Sequence, residues 1–103
     1  MPRREYWLDF SENPTKKYVV VYHNPATNRL KSIHFGANGY DDYTRTGNEE
    51  RKRLYRLRHS KDKIMDLTKS GCWSWWLLWT CPTLEQAIEK MERHFDISII
   101  NNL

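Results

Sequence analysis

The sequence predicts an α+β domain in which an N-terminal β-hairpin packs on about three helices. Three stretches predict it: a β-branched and aromatic run at residues 17–23, a tryptophan-rich run at residues 71–82, and a helical apolar repeat between Leu84 and Phe95. A chain of 103 residues forms one domain with a modest core. Because a lone hairpin is marginal in water, a helix is expected to cover one of its faces.

The hairpin is predicted from two apolar runs that flank a turn. Residues 17–23 and residues 30–35 are rich in β-branched and aromatic side chains, which favour strands. Residues 24–29, Asn-Pro-Ala-Thr-Asn-Arg, have the composition of a turn, and Gly36 ends the second run. We therefore expect an antiparallel hairpin with a loop of about six residues.

The tryptophan-rich run supplies the helix at the centre of the predicted domain. Four of the five tryptophans lie in it, and each buried indole removes roughly 150–250 Å² from water. Its side chains are apolar nearly all round the helix, so the helix should be covered from more than one side. We expect these tryptophans to be core. The alternative is that one or two protrude, as anchors for a partner protein or as platforms for bases.

Two further helices are predicted on either side of this run. A capping box that begins at Thr46 precedes a charged helix at residues 47–59, whose narrow apolar stripe is Leu54 and Leu57. A second capping box at residues 83–86 begins a helix with a regular apolar repeat. The apolar positions are Leu84, Ala87, Ile88, Met91 and Phe95. Residues 60–70 suggest a further short helical turn.

The compact domain is expected to span residues 17–95, with less regular segments at both ends. Residues 1–16 are predicted as an N-terminal arm, and residues 96–103 as a short apolar tail that adds a strand or continues the last helix. An apolar arm and tail are uneconomical on a lone monomer of this size, which favours bound neighbours. The partner-binding residues predicted on them are Tyr6, Trp7, Phe10, Ile97, Ile99 and Ile100.

Charge and hydropathy exclude some classes of protein. The net charge of +4 and a pI near 9.2 fit a nucleic-acid or acidic-surface partner. No transmembrane segment is expected, because the apolar run is about half of the roughly 20 residues that a spanning helix needs. The first residues lead into no long apolar run, so no signal peptide is expected either.

The two cysteines bracket the tryptophan run. In a helix, Cys72 and Cys81 would be separated by roughly 13.5 Å along the axis, whereas a disulfide needs Cα atoms within about 7 Å. We therefore expect free thiols. The four histidines are scattered and no C-x-x-C pair is present, so neither a zinc site nor another cofactor is expected.

Basic side chains crowd the charged helix, which makes it the candidate nucleic-acid-binding site. They surround the helix rather than forming one stripe, and arginine near aromatic rings suits a nucleic-acid backbone. A solvated helix with internal ion pairs, or a helix that faces an acidic protein, is the alternative. The candidate residues are Arg51, Lys52, Arg53, Arg56 and Arg58.

A weaker pattern concerns catalysis. Asp41 and Asp42 follow a strand end, and with His34 and His59 they could hold a magnesium ion for phosphodiester chemistry. Aspartate in a loop more often forms an Asx-turn or pairs with a nearby arginine. The sequence contains no phosphate-binding loop, nucleophile motif or cofactor fingerprint, so a non-enzymatic protein is expected.

Short motifs in a fixed order cover most of the chain between Lys17 and Phe95. They are His34-Phe35-Gly36, Gly39-Tyr40-Asp41-Asp42-Tyr43-Thr44, Arg51-Lys52, Tyr55, Arg58-His59, Gly71, Ser74, Leu78-Trp79, Pro82-Thr83-Leu84 and Ile88. In these motifs the sequence resembles a family of small uncharacterised proteins of nucleocytoplasmic large DNA viruses, which typically has an arginine where Trp75 stands. The resemblance implies a viral setting and no particular enzyme.

Two functions are compatible with these features. The first is a non-enzymatic virion structural protein, a minor capsid or assembly component that contacts viral capsid proteins or itself through the arm and tail. Its location would be the virion and, during infection, the host cytoplasm. The alternative is a basic nucleic-acid-binding protein that acts in the infected cell or is packaged with the genome. Such binding should weaken steeply with salt.

Overall fold

The structure, a computed structural model, describes residues 4–39, 42–59 and 63–103. Within these ranges the chain forms one four-stranded sheet and four helices. In chain order they are β1 (Arg4–Phe10), β2 (Lys16–Asn24), β3 (Arg29–Ala37), α1 (Tyr43–Thr46), α2 (Glu49–Arg58), α3 (Ser70–Leu78), α4 (Leu84–Phe95) and β4 (Ile97–Asn101). The predicted α+β class and the tryptophan-rich central helix are confirmed. In the described ranges, no helix is both long and apolar enough to cross a bilayer.

The predicted hairpin is present as β2 and β3. Their antiparallel register pairs Tyr18 with Phe35 and Val20 with Ile33, so these side chains share one face of the sheet. Both strands extend one or two residues beyond the predicted runs. The turn is correspondingly short, and Asn28 closes it in the left-handed conformation at φ 55°.

Both ends of the chain form strands of the same sheet, so residues 4–10 are not an arm, and the C-terminal tail adds a strand, one of its two predicted alternatives. The strand order is β3-β2-β1-β4, so β1 is an inner strand, antiparallel to β2 and parallel to β4. Tyr6 lies opposite both Tyr22 and Ile99. The edge strand β4 is protected because the Ile99 N–H donates to the Glu92 carboxylate at 2.9 Å. The domain therefore includes both segments.

The core lies between one face of the sheet and the helices α3 and α4. Trp73 is fully buried, with its ring centroid 5.1 Å from that of Tyr6 and 6.3 Å from that of Phe35. The predicted apolar side of α4 faces the same core. The buried residues of the sheet and of α4 include Tyr6, Leu8, Val20, Tyr22, Phe35, Ala87, Ile88, Met91, Ile97 and Ile99.

The tryptophans of α3 also fix the segment that precedes the helix. The ring N–H of Trp73 donates to the Leu67 carbonyl at 2.9 Å, and that of Trp76 donates to the Ile64 carbonyl at 2.8 Å. These bonds satisfy two buried indole donors and hold residues 63–69 in irregular turns, where the sequence suggests a helical turn. Residues 60–62 lie outside the described ranges.

The predicted cap of the charged helix is wrong, and that of the last helix is confirmed. The cap of α2 is Asn48, whose side-chain oxygen accepts from the Arg51 N–H at 3.1 Å. Thr46 instead ends α1, and Gly47 separates the two helices at φ 61°. The cap of α4 is Thr83, as predicted. The misplacement at α2 arises because Asn48 is itself a strong cap two residues further on.

Candidate functional site

A cleft of about 1050 Å³ lies between α2, the start of α3 and the end of the β2–β3 hairpin. Gly36 brings the hairpin close to α3. It has φ 78°, and a Cβ at this position would lie 2.9 Å from Cδ1 of Leu78. Glycine is therefore favoured by the backbone conformation, and a larger residue would also displace the end of the Leu78 side chain.

Positive charge dominates the cleft. Among its described lining residues there is one carboxylate, Asp42, and its Oδ2 lies 2.6 Å from Nζ of Lys17. Both side chains of this ion pair are largely buried, with exposed fractions of 3% and 10%. The cations that line the cleft are Lys16, Lys17, Arg51, Arg58, Lys63 and Lys69, and His59 lies beside them. The Lys17–Asp42 pair therefore neutralises one cation and leaves a strongly basic surface.

A column of three rings attaches α2 to the rest of the protein along the cleft. The Tyr55 ring stacks between His59, at a centroid distance of 4.2 Å, and Trp79, at 4.3 Å. The Tyr55 hydroxyl also donates to Ser74 Oγ at 3.2 Å. Tyr55 is the one residue of α2 that is buried. The column therefore fixes the position of α2 as a wall of the cleft.

The basic residues of α2 divide between two sides of the helix. On the side away from the cleft, Lys52 lies over the Tyr43 ring at 4.6 Å and Arg56 lies over the Trp75 ring at 5.3 Å. Arg53 pairs with Glu50 at 2.6 Å. Of the five candidates predicted from the sequence, the structure brings two to the cleft, and these are Arg51 and Arg58.

The apolar stripe predicted on α2 is not buried. Leu54 is 45% exposed and Leu57 is 60% exposed, and both line the cleft beside its cations. The helix packs through Tyr55 instead, because the ring column fills the contact with α3. The cleft wall therefore presents aliphatic and cationic side chains together.

Three cations of the cleft come from parts of the chain that sequence reasoning did not connect with the basic helix. They are Lys16, Lys17 and Lys69. The β2–β3 register pairs Lys16 with Ala37, next to Gly36 at the cleft. The predicted hairpin could have indicated this position, because its pairing places Lys16 and Lys17 beside the glycine that ends the second strand.

The described residues of the suggested magnesium site, His34, Asp42 and His59, do not come together in one site. His34 alternates with the buried Phe35, so it lies on the opposite face of the sheet, where Nδ1 is 2.7 Å from Ser11 Oγ. Asp42 and His59 both line the cleft, but Asp42 pairs with Lys17 and caps α1 by accepting from the Thr44 N–H at 3.0 Å. Asp41 lies outside the described residues. Across the described ranges no three His, Cys, Asp or Glu residues are placed to hold a metal ion.

The residues predicted to bind partner proteins are divided by the sheet. The alternation of β1 and β4 buries half of them in the core, and these are Tyr6, Ile97 and Ile99. The other half is more accessible. Trp7 and Ile100 are half-buried register partners on the outer face, and Phe10 is 63% exposed. The six residues therefore do not form one surface.

Both cysteines are free in the structure. Cys72 is fully buried in α3, and burial raises the pKa of its thiol to about 12. Cys81 follows α3 and is half-buried. The Cys72 thiol is therefore held neutral, as a small core side chain.

A family model matches residues 7–59 of the chain, and the family is described as a family of unknown function, DUF5754. The matched region runs from β1 through α2, so it contributes the hairpin and the α2 wall of the cleft. No curated protein matches the chain, and no solved structure matches it.

The resemblance to proteins of large DNA viruses stays a prediction. Many residues of the motifs on which this resemblance depends line the cleft. They are Gly36, Asp42, Arg51, Tyr55, Arg58, His59, Gly71, Ser74, Leu78 and Trp79.

Proposed function

For this chain, which belongs to the DUF5754 family of unknown function, we propose nucleic-acid binding through the basic cleft. The observation that carries the proposal is the convergence of cations from separate parts of the chain. Lys16 comes from β2, Arg51 and Arg58 from α2, and Lys63 and Lys69 from the segment before α3. A polyanionic backbone gains affinity from such a set because each phosphate contact releases a condensed counterion.

The charges on the described lining of the cleft support a polyanionic ligand. On α2, Arg53 and Lys52 have carboxylates within 4.0 Å on their own helix, in Glu50 and Glu49. Within the described cleft, the carboxylate present is already paired with Lys17. The cleft therefore concentrates positive charge on a concave surface, which raises the local concentration of an anionic ligand.

The start of α3 strengthens the same field. The helix begins at Ser70, and its N-cap residue, Lys69, makes no side-chain capping hydrogen bond. Lys69, Ser70 and Gly71 all line the cleft. Helix N-termini carry a partial positive charge, so this end of α3 adds to the attraction that the cations exert on phosphate.

The virion structural role stays a prediction. Its sequence argument depends on an apolar arm and tail, and these segments are strands of the sheet, with Tyr6, Ile97 and Ile99 in the core. The location in virions and in the host cytoplasm likewise stays a prediction. The basic cleft is compatible with a packaged protein as well as with one that acts in the cell.

The test compares two arginines of the same helix. Binding of a fluorescein-labelled oligonucleotide is measured by anisotropy between about 50 and 200 mM salt, for the wild-type protein, Arg58→Gln and Arg53→Gln. Arg58 lines the cleft, whereas the side chain of Arg53 is 59% exposed and pairs with Glu50. We expect Arg58→Gln to weaken binding and to reduce the salt slope by about 0.7–0.9, the share of one phosphate contact. Arg53→Gln should leave both unchanged. Equal effects of the two substitutions, or no salt-dependent binding, would contradict the proposal.

A further inference from the structure

We propose that the cleft prefers single-stranded over double-stranded nucleic acid, with unpaired bases lying against the aliphatic part of its α2 wall. This inference rests on the proposed function and goes further by naming the form of nucleic acid that is bound. It depends on two leucines and on the face of one ring, so it can be tested separately from the lysines and arginines. The central residues are Leu54, Leu57 and His59.

The first step concerns the exposed leucines. Leu54 and Leu57 are 45% and 60% exposed, and they lie on the wall that also carries Arg51 and Arg58. A duplex presents phosphates to such a wall and keeps its bases stacked inside, so the leucines would remain in water. An unpaired base exposes its apolar faces, and its contact with the leucines removes apolar area from water on both sides.

The second step concerns the ring column. Tyr55 and Trp79 are only 8% and 9% exposed, so they support the column from within. His59 is half-buried, lines the cleft and is the most accessible ring of the three. Proteins that bind single strands combine a positively charged groove with aromatic rings on which bases stack, and this cleft contains both parts.

The third step concerns size. The cleft volume of about 1050 Å³ is close to the upper end of the roughly 300–1,000 Å³ found for sites that enclose a small ligand. A few nucleotides of one strand fit into such a space, whereas two paired strands must remain largely outside it. Of the two forms of nucleic acid, a single strand is therefore the one that brings both its phosphates and its bases into contact with the cleft.

The experiment measures anisotropy at one salt concentration with labelled oligo(dT), oligo(rU) and a mixed-sequence DNA duplex, each of about 20 nucleotides per strand. We expect the single strands to bind roughly tenfold more tightly than the duplex, which is the gain in affinity expected from about one stacked base. The two single strands separate a DNA ligand from an RNA ligand. Unlabelled polyglutamate of matched charge should compete poorly, because it supplies charge without bases.

The decisive variants change the two exposed aliphatic side chains of the α2 wall. The double variant Leu54→Ala/Leu57→Ala should weaken single-strand binding roughly fivefold and leave duplex binding unchanged. The ratio of single-strand to duplex affinity should therefore fall by the same factor. The matched control is Leu30→Ala, because Leu30 is 69% exposed and lies on β3 outside the cleft lining. It should change neither affinity by more than about twofold.

The outcomes separate the two proposals. If the duplex binds as tightly as the single strands, or if the double alanine variant behaves like Leu30→Ala, the single-strand inference is overturned. The basic cleft then still stands, provided that Arg58→Gln weakens binding more than Arg53→Gln. If those two arginine variants are equal, nucleic-acid binding at the cleft is overturned as well. Efficient competition by polyglutamate would overturn the inference in favour of an acidic protein ligand.

Discussion

The helices α3 and α2 are almost equal in length, at nine and ten residues, but their surroundings are opposite. Five residues of α3 are buried, and the helix packs against the sheet and against α4. In α2 one residue, Tyr55, is buried. The comparison shows that the tryptophan-rich helix provides the framework, while the charged helix is a wall held mainly by the ring column, with Lys52 and Arg56 over neighbouring rings. Because one of its residues is buried, most positions of this wall can carry cations and exposed leucines.

The largest effect expected from this contrast is on stability. Trp73→Ala should lower the free energy of unfolding by about 3–5 kcal/mol, because Trp73 is fully buried and its ring N–H bonds to the Leu67 carbonyl. The matched change on the other helix, Leu57→Ala, should cost less than about 0.5 kcal/mol, since Leu57 is 60% exposed. Urea unfolding followed by circular dichroism measures both. Similar losses in the free energy of unfolding for the two variants would contradict the distinction between α3 as the framework and α2 as a wall.

A smaller effect is expected where the framework meets the wall. The Lys17–Asp42 ion pair connects β2 to the start of α1, at the edge of the cleft. Asp42→Asn should lower the free energy of unfolding by about 3 kcal/mol, because it leaves the Lys17 ammonium largely buried without its counter-charge. Asparagine is also a good helix cap, so the cap on α1 is retained.

A double-mutant cycle isolates the ion pair. Lys17→Met removes the other charge, and the loss in the double variant should be smaller than the sum of the two single losses by about 1–3 kcal/mol. Urea unfolding of the four proteins gives this coupling energy. Additive losses would show that the two charges are not coupled and that the pair does not connect the two regions.

The framework could be predicted from the sequence because its signals are local. The hairpin, the tryptophan-rich helix and α4 with its Thr83 cap all rest on periodicity or on a cap within one segment. β1 was missed because its pairing depends on β4, at the other end of the chain. No local pattern shows that residues 4–10 will lie between two other strands, so an apolar cluster without its partners is indistinguishable from an arm.

The cleft was only partly predictable for a similar reason. The excess of basic residues on α2 is visible in the sequence, but which of them face a common space depends on the ring column formed by Tyr55 and Trp79. These residues are 24 positions apart, and nothing local indicates that they stack. Lys69 joins the site because the indole bonds of α3 fix the segment that precedes the helix.

The smallest expected effect concerns the electrostatics of the framework helix. The folded protein holds the pKa of Cys72 at about 12, whereas an ordinary thiol has a pKa near 9.0. Between these values the folded state keeps the proton and the unfolded state releases it, so stability is fully present below pH 9 and falls as the pH rises. The loss between pH 9 and pH 10 should be about 1 kcal/mol.

Cys72 is the main contributor in this pH window. Burial also raises the pKa of Tyr6, and the hydrogen bond to Glu49 raises the pKa of Tyr43, but an ordinary tyrosine has a pKa of 10.0, so both contribute mainly at higher pH. Urea unfolding at pH 8, 9 and 10 should show the loss in the wild-type protein and in Cys81→Ala, which retains Cys72. It should be clearly smaller in Cys72→Ala. An equal loss in both cysteine variants would mean that another group titrates, and that the interior of α3 is less protected from water than its full burial implies.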